Sequence, residues 1–338
     1  MKLVICWSKP EGVSSQDDLP EDVIRFRSDG VAKIRDMGVD VVETIDEAVA
    51  LAAIGDADAF YGGDMSAEIL AAGEHLRWMQ CSKAGMDNFW YDELRSSELT
   101  ITNTRGIYSD VIADHVLAFV MNFARGMHAY IARQKAARWE KGLASTVFLG
   151  NATMGVVGLG GIGLAVAQRA HAVGMRVVGV DPAPKGTPDY VDQIWSPEDL
   201  HVMLAESDFV AICVPHTGET EHMIDADAFD AMKPSAVLVN IGRGKVVDLQ
   251  ALTAALEDEK IGGAGLDVFE QEPLSPDHPL WQMDNVIITP HMAGMSTYLY
   301  QEERRVDVLV ENVKRFLAGE ALMNEVDKVR GYVVDANE

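Results

Sequence analysis

A glycine-rich turn between an apolar strand and a helical segment constrains this chain more than any other feature. Residues 154–163 read MGVVGLGGIG, and the segment that follows has helical spacing up to Gly174. Gly158 permits a tight turn off the strand, Gly160 lets the backbone approach a pyrophosphate, and Gly163 lets the helix pack closely on a sheet. The free N–H groups and the positive end of the helix dipole would hold phosphates. The segment therefore predicts a dinucleotide-binding unit.

The context of this motif matters, because glycine-rich turns also occur by chance. A second β-branched strand, RVVGV at 176–180, follows the helical segment and leads directly into Asp181. A carboxylate at this position accepts hydrogen bonds from the ribose hydroxyls of an adenosine and repels a 2′-phosphate. The sequence thus favours NAD over NADP as the cofactor.

The composition excludes several classes of protein. With 338 residues, 48% of them hydrophobic and 24% charged, the chain is long enough for two globular domains. A formal net charge of -25 argues against binding to nucleic acids or to anionic membranes. The first residues do not resemble a signal peptide and no apolar run is long enough to cross a bilayer, so we expect a cytoplasmic protein.

Two further features of the composition are the excess of acidic residues and the three cysteines. The acidic balance suits an ordinary acidic cytosolic protein, or one adapted to high salt, and the sequence leaves both explanations open. Cys6, Cys81 and Cys213 show no metal-ligand spacing and lie in apolar runs. We therefore expect buried reduced thiols, with no bound metal and no disulfide.

The chain is predicted to fold as an α/β protein with a six-stranded doubly wound parallel sheet, a Rossmann fold, in residues 108–294. Short β-branched runs there alternate with helical patterns. The predicted strands are 153–157, 176–180, 209–214, 236–241, 263–268 and 286–289.

A second, smaller flavodoxin-like α/β domain is predicted from residues 1–107 together with 295–338. Its strands are expected at 3–6, 41–43, 59–61, 78–81 and 99–102, and a helix at 297–317 would return the chain to it. A long amphipathic helix over 109–130 is predicted to join the two domains, and its apolar face suggests a symmetric homodimer. We expect substrate and cofactor to meet between the domains.

Three reactive side chains follow strands of the predicted dinucleotide-binding sheet. They are Arg243, Glu272 and His291. Ligands of open parallel sheets bind beyond the carboxyl ends of the strands, which places all three on the edge that carries the glycine turn. Taken singly, Arg243 could belong to a solvated turn, Glu272 could be a loop charge, and His291 could be bonded to a nearby carbonyl. Their joint placement on one edge favours a functional role. His216 also follows a strand and ranks second among the histidines.

The residue types indicate the chemistry. The guanidinium of Arg243 can grip a carboxylate with two N–H groups and polarise the adjacent carbonyl of a 2-keto acid. The imidazole of His291 can give a proton to the carbonyl oxygen and take it back in the reverse reaction. The carboxylate of Glu272, bonded to the other ring nitrogen, would orient the ring and stabilise the imidazolium.

These residues resemble the D-isomer-specific NAD-dependent 2-hydroxyacid dehydrogenase family. GLGGIG, NIGRG, DVFEQEP and TPHMAG match the signatures of that family in its characteristic order, and the similarity covers most of the chain. The resemblance implies that Arg243, Glu272 and His291 are catalytic, and that Ala84, Gly85 and Met86 join Arg243 in binding the substrate. It implies cofactor contacts by Gly158, Gly160, Gly161, Ile162, Gly163, Asp181, Pro215, Thr220, Ile241, Gly242, Asp267 and Gly294. Gly161 stands where the family often carries arginine.

The function that this resemblance implies is NADH-dependent reduction of a small 2-keto acid, such as glyoxylate or hydroxypyruvate, to the D-2-hydroxy acid. Two alternatives share the same residues. Arg243 could also grip a phosphorus oxyanion, as in a phosphite-type oxidoreductase. Some members of the family are NADH-sensing scaffold proteins that keep the three catalytic residues.

Overall fold

The computed structural model describes residues 1–8, 18–86, 90–184, 186–295 and 298–333. The strands in chain order are β1 (Lys2–Cys6), β2 (Asp40–Thr44), β3 (Ala59–Gly62), β4 (Trp78–Cys81), β5 (Thr100–Thr102), β6 (Thr153–Val157), β7 (Arg176–Val180), β8 (Gln193–Trp195), β9 (Phe209–Ile212), β10 (Val237–Asn240), β11 (Gly263–Leu266) and β12 (Val286–Ile288). The α-helices are α1 (Glu21–Asp36), α2 (Glu47–Ala53), α3 (Ala67–Ala72), α4 (Asp92–Ser96), α5 (Ser109–Ala124), α6 (Met127–Lys135), α7 (Gly161–Ala172), α8 (Leu200–Glu206), α9 (Ala226–Ala231), α10 (Leu249–Glu257) and α11 (Tyr298–Ala318).

The chain divides into two compact units. The first comprises Met1–Ile107 and Ser296–Glu338, and the second comprises Tyr108–Met295. Each unit holds one parallel sheet, so the predicted α/β architecture with two sheets is confirmed.

The second unit contains a seven-stranded sheet in the order β12-β11-β10-β9-β6-β7-β8, and all pairings are parallel. The predicted count of six strands was therefore wrong by one. The missed strand is β8, which pairs with β7 through Val178 and Gln193. Three residues are too few to show a strand periodicity, and no helical pattern precedes them to mark a crossover.

The central strands of this sheet are buried on both faces, as parallel sheets covered by helices are. One core lies between the sheet and α5 with α7, where Phe119 and Phe123 pack. A Cβ built on Gly265 would lie 2.7 Å from the ring of Phe119, so this glycine lets α5 approach β11. The opposite core is formed by side chains of α8, α9 and α10.

The single helix predicted over 109–130 was wrong. α5 ends at Ala124 and α6 starts at Met127, and Gly126 between them has φ 63°. A residue in the left-handed region cannot continue a right-handed helix, so the chain turns at this glycine.

The first unit contains a five-stranded parallel sheet in the order β2-β1-β3-β4-β5. This is the flavodoxin-like strand order that the sequence predicts. The returning helix α11 packs against α1, where a Cβ on Gly30 would overlap the side chain of Val306. Arg27 on α1 donates to Glu302 on α11 at 2.6 Å, and both side chains are buried.

Membrane-spanning helices, metal-binding clusters and disulfides are absent from the part of the chain that is described. No helix there is both long and apolar enough to cross a bilayer. No group of three or more His, Cys, Asp or Glu side chains there could hold a metal ion. Within these described residues Cys6, Cys81 and Cys213 form no disulfide; Cys81 is buried and the other two are half-buried. The expected cytoplasmic location stays a prediction.

Candidate active site

The glycine turn joins β6 to α7 and has the geometry that phosphate binding requires. Gly158 has φ 88°, a conformation that side chains disfavour, and it begins the turn. A Cβ on Gly163 would lie 1.9 Å from the carbonyl oxygen of Gly158, so only glycine lets the helix start so close to the strand. α7 is 12 residues long and begins at Gly161, and the first N–H groups of a helix have no acceptor within the helix. The turn therefore fits a pyrophosphate in its shape and its donors.

Asp181 follows β7 beside this turn. One carboxylate oxygen accepts the N–H of Leu159 at 2.8 Å, and the other accepts the N–H of Ala183 at 2.9 Å. The carboxylate is thus held against the glycine turn while remaining partly exposed. Each oxygen keeps a further lone pair for a ligand hydroxyl.

Arg243 lies in the loop after β10, and hydrogen bonds from the buried side chain of Asn240 hold this loop. The Asn240 side chain accepts the N–H of Gly242 at 3.1 Å and donates to the carbonyl of Arg243 at 3.2 Å. A Cβ on Gly244 would lie 1.8 Å from the carbonyl carbon of Phe269. Glycine is therefore required for the loop after β10 to touch the loop after β11. The guanidinium is half-buried and donates to the carbonyl of Gly242 at 2.8 Å.

Glu272 and His291 form a hydrogen-bonded pair. The Nδ1 of His291 lies 2.7 Å from one carboxylate oxygen of Glu272, and the other oxygen accepts the N–H of Phe269 at 3.0 Å. The side chains are 55% and 36% exposed, so the pair is accessible to a ligand. Because an ionised carboxylate can only accept, the pair places a proton on Nδ1, and Nε2 is the ring nitrogen that could exchange a proton with a ligand.

Asp267, the residue after β11, holds the backbone of the histidine loop. Its carbonyl accepts the N–H of His291 at 2.8 Å. Its buried carboxylate accepts the N–H groups of Met292 and Ala293, both at 2.8 Å. His291 has φ 50°, which is strained for a residue with a side chain. These three bonds hold that conformation and so aim the imidazole.

Two residues that the sequence reasoning did not assign to the site extend this arrangement. Thr289 donates its hydroxyl proton to Asp267 at 2.6 Å, and His115 on α5 lies 3.1 Å from the same hydroxyl oxygen. Thr289 directly follows β12 within the TPHMAG segment, which is a signal that its side chain reaches the same edge. His115 lies inside a helical pattern and the sequence offers no comparable signal for it.

The remaining predicted cofactor residues also lie on the carboxyl edge of the second unit or next to it. Thr220 donates to the carbonyl of Pro215 at 2.7 Å, which closes the turn after β9. Ile241 is buried directly after β10. A Cβ on Gly161 would lie 3.0 Å from the Ser109 hydroxyl. The following residues complete that set: Ile162, half-buried in the first turn of α7, and Gly294, next to Ala293.

The residues predicted to bind the substrate through their backbone lie in the first unit. Ala84, Gly85 and Met86 follow β4. Asn103 donates its side-chain amide to the carbonyl of Ala84 at 2.7 Å and fixes this loop. The side chain of Met86 is buried in the core of the first unit, so only its backbone is available to a ligand.

Three strands therefore deliver the three predicted catalytic side chains. β10, β11 and β12 are neighbours in the sheet, and Arg243, Glu272 and His291 follow them in that order. The glycine turn follows β6, and the strand order reverses between β6 and β9, which is where dinucleotides bind in such sheets. The second unit thus carries the glycine turn, a cation, and an imidazole paired with a carboxylate on one edge.

Comparison with known proteins agrees with this arrangement. The chain matches the D-isomer specific 2-hydroxyacid dehydrogenase, NAD binding domain, over residues 117–293. It is 38% identical over 277 residues to a glyoxylate reductase of Korarchaeum cryptofilum, covering 79% of this chain and 82% of that protein. It is 35% identical over 320 residues to glyoxylate/hydroxypyruvate reductase B of Cronobacter sakazakii, covering 91% and 95% of the two chains.

A solved structure is similar over almost the whole chain. The D-isomer specific 2-hydroxyacid dehydrogenase of Xanthobacter autotrophicus Py2, in complex with NADPH and MES, gives a TM-score of 0.79 at 29% identity, covering 98% of this chain and 99% of that one. The fold and the edge of the second sheet define an NAD(P)-binding oxidoreductase. The chain belongs to the D-isomer specific 2-hydroxyacid dehydrogenase family. Its substrates are accordingly small 2-hydroxy or 2-keto acids.

Proposed function

We propose that this enzyme reduces glyoxylate, hydroxypyruvate or a similar small 2-keto acid to the D-2-hydroxy acid with NADH. The observation that carries the proposal is the 2.7 Å pair of His291 and Glu272 on the edge that also carries Arg243. The names of the curated relatives support the substrate class, since they are glyoxylate and hydroxypyruvate reductases.

The roles of the residues follow from their chemistry. Arg243 binds the substrate carboxylate with two N–H groups, which also draws electron density from the adjacent carbonyl. His291 holds a proton on Nε2 and gives it to the carbonyl oxygen. Glu272 holds the other ring proton on Nδ1 and stabilises the imidazolium before the transfer. When bound, the reduced nicotinamide supplies the hydride that the carbonyl carbon accepts.

The cofactor site would be formed by the glycine turn, Asp181 and the loops after β9 to β12. The steric demand at Gly158 and Gly163 and the free helix start support a dinucleotide there. The carboxylate of Asp181 supports NADH over NADPH, because it would accept from ribose hydroxyls and repel a 2′-phosphate. The contacts of Pro215, Thr220, Ile241, Gly242, Asp267 and Gly294 with the cofactor, and of Ala84, Gly85 and Met86 with the substrate, stay predictions.

A homodimer is part of the proposal. Large apolar side chains are exposed in the segment from α5 to the residues before β6, with Trp139 at 94% and Phe148 at 72% exposure. Exposed apolar groups concentrated in one segment are typical of a surface that a partner covers. A symmetric copy presenting the same segment would cover it. Light scattering of the purified protein, and of the Phe148→Ser variant, would measure the mass of the assembly.

The experiment that tests the function follows the consumption of NADH and NADPH with a panel of 2-keto acids. Glyoxylate gives an achiral product, so the configuration is determined on the glycerate formed from hydroxypyruvate. We expect D-glycerate, and a loss of about 100-fold or more in kcat for His291→Gln. The matched control is His201→Gln, an exposed histidine on α8, which should keep the wild-type rate. L-glycerate, or NADH formation from phosphite in place of keto acid reduction, would contradict the proposal.

A further inference from the structure

The hydrogen bonds behind the catalytic histidine form a directed chain. The Thr289 hydroxyl donates to Oδ1 of Asp267 at 2.6 Å, and Nε2 of His115 lies 3.1 Å from the hydroxyl oxygen. A hydroxyl carries one proton, which is already given to the carboxylate. The hydroxyl oxygen must therefore accept, and Nε2 of His115 must be the donor.

The surroundings of His115 suit this tautomer. Its ring packs edge-on against Phe119 with the ring centroids 4.8 Å apart, and its side chain is 19% exposed. Burial lowers the pKa of His115, although Asp267 at 3.9 Å acts in the opposite direction. The ring is then neutral at neutral pH and carries a single N–H, which the geometry places on Nε2.

The carboxylate at the end of this chain is the one that holds His291. Asp267 is 1% exposed, and its oxygens accept the N–H groups of Met292 and Ala293. A buried carboxylate needs every available donor, because desolvation destabilises its charged form. Loss of the bond from Thr289 would turn the carboxylate or weaken its bonds to the backbone after His291. The strained φ of 50° at His291 would then relax.

We infer that His115 is a positioning residue for the reaction, which orients the Thr289 hydroxyl toward Asp267 and thereby keeps His291 aimed at the substrate carbonyl. The inference rests on the proposed function, in which His291 is the proton donor. It adds α5 to the elements that hold the acid/base group. His115 acts only through Thr289 and Asp267.

Two pairs of variants test the chain of bonds. His115→Leu and Thr289→Val remove the donor and the hydroxyl with little change in volume. His115→Gln offers an amide N–H near the position of Nε2, and Thr289→Ser keeps the hydroxyl. We expect His115→Leu and Thr289→Val each to lower kcat about 10-fold, with the KM for the keto acid nearly unchanged. His115→Gln and Thr289→Ser should each keep most of the wild-type kcat. The double variant His115→Leu with Thr289→Val should lose no more than either single one.

The control is His128→Leu. His128 also packs on a phenylalanine of α5, Phe123, with the ring centroids 4.8 Å apart, but it belongs to α6. This variant loses comparable packing and should keep kcat within about 2-fold. The solvent deuterium isotope effect on kcat should rise in His115→Leu, since transfer from a misaligned imidazole becomes more nearly rate-limiting, and should stay at the wild-type value in His128→Leu. Equal losses in the two leucine variants, or no rescue by glutamine, would overturn the inference.

A measurement without turnover separates this inference from the proposed function. Long-range ¹⁵N–¹H NMR spectra of the histidine rings report which nitrogen carries the proton. A proton on Nε2 of His115 supports the chain of bonds, and a proton on Nδ1 overturns it, whether or not the wild-type protein reduces any keto acid. If the wild type reduces none while His115 is protonated on Nε2, the proposed function fails and the hydrogen-bond chain stands.

Discussion

Glu272 bridges the two loops that follow β11 and β12, since one of its oxygens lies 2.7 Å from Nδ1 of His291 and the other accepts the N–H of Phe269 at 3.0 Å. Replacing it by glutamine keeps the shape and removes the charge. The imidazolium is then less stable, and reduction of the keto acid needs the protonated ring. We therefore expect Glu272→Gln to lower kcat for keto acid reduction by about 10-fold or more at neutral pH.

Steady-state kinetics at neutral pH check this prediction by comparing kcat for keto acid reduction with that of the wild type. The matched control is Glu270→Gln, whose carboxylate accepts the N–H of Leu249 at the start of α10. It should keep the wild-type kcat. A Glu272→Gln variant with the kcat of the wild type would refute the role of the pair.

Arg243 is predicted to serve both in binding and in the chemical step. Arg243→Ala should raise the KM for the keto acid and also lower kcat by about 100-fold, because one guanidinium binds the carboxylate and polarises the carbonyl. Arg243→Lys should recover part of the binding and little of kcat, since an ammonium lacks the planar fork. Steady-state kinetics measure both constants. Lys245→Ala removes an exposed cation two residues away and should leave them unchanged. A rise in KM alone would restrict Arg243 to binding.

Gly244 allows the loops of Arg243 and Glu272 to meet. A Cβ there would lie 1.8 Å from the carbonyl carbon and 2.0 Å from the carbonyl oxygen of Phe269. Backbone atoms cannot rotate away, so Gly244→Ala should lower the free energy of unfolding by about 1–3 kcal/mol, as overpacking does. Denaturant titration measures the change. Gly218→Ala, where a Cβ would meet no atom within 4 Å, should stay within about 0.5 kcal/mol of the wild type.

Acid should weaken the fold through the half-buried His128. Burial lowers the pKa of His128 below its ordinary 6.5. The unfolded chain then binds the proton more readily than the folded one, so the stability is complete above about pH 6.5 and declines as the pH falls toward the lowered pKa. A glutamine does not titrate. Lowering the pH from 7.5 to 5.5 should therefore reduce the free energy of unfolding of the wild type more than that of His128→Gln. A difference between the two proteins that does not change with pH would contradict this prediction.

Much of the fold was predictable because buried parallel strands produce continuous β-branched runs. β4, β6 and β7 have the predicted bounds, and the other predicted strands differ from the observed ones by one or two residues at their ends. β8 was missed because its three residues carry no periodicity. The break at Gly126 was missed because the apolar spacing continues through it, and a glycine within a helical pattern does not by itself show that its φ is positive.

The candidate site was predictable to the extent that its residues follow strands. Arg243, Glu272 and His291 lie in the loops that follow β10, β11 and β12, whose carboxyl ends share one edge, so topology alone brings them there. The contact of His115 with Thr289 joins residues 174 positions apart, and depends on how α5 lies on the sheet. Neither periodicity nor motif spacing contains that information. The contact between Gly244 and Phe269 likewise follows from three-dimensional packing.

Asp181 is predicted to set the preference between the two cofactors. Asp181→Asn removes the charge that would repel a 2′-phosphate, while its carbonyl oxygen can still accept one of the N–H groups of Leu159 and Ala183. We expect the ratio of kcat/KM for NADH to that for NADPH to fall by about 10-fold or more. The kcat/KM for NADPH should rise, and the kcat/KM for NADH should fall.

Asp192→Asn is the matched control for this prediction, because its carboxylate also accepts a backbone N–H of β7, that of Val177 at 2.9 Å, but at the amino end of the strand. Losing a charge there changes the net charge of the protein by the same amount and leaves the carboxyl edge intact. The cofactor ratio of this variant should match the wild type. If Asp181→Asn discriminates between the cofactors as the wild type does, the preference must come from other residues, because a charge next to a bound phosphate cannot be removed without changing its affinity.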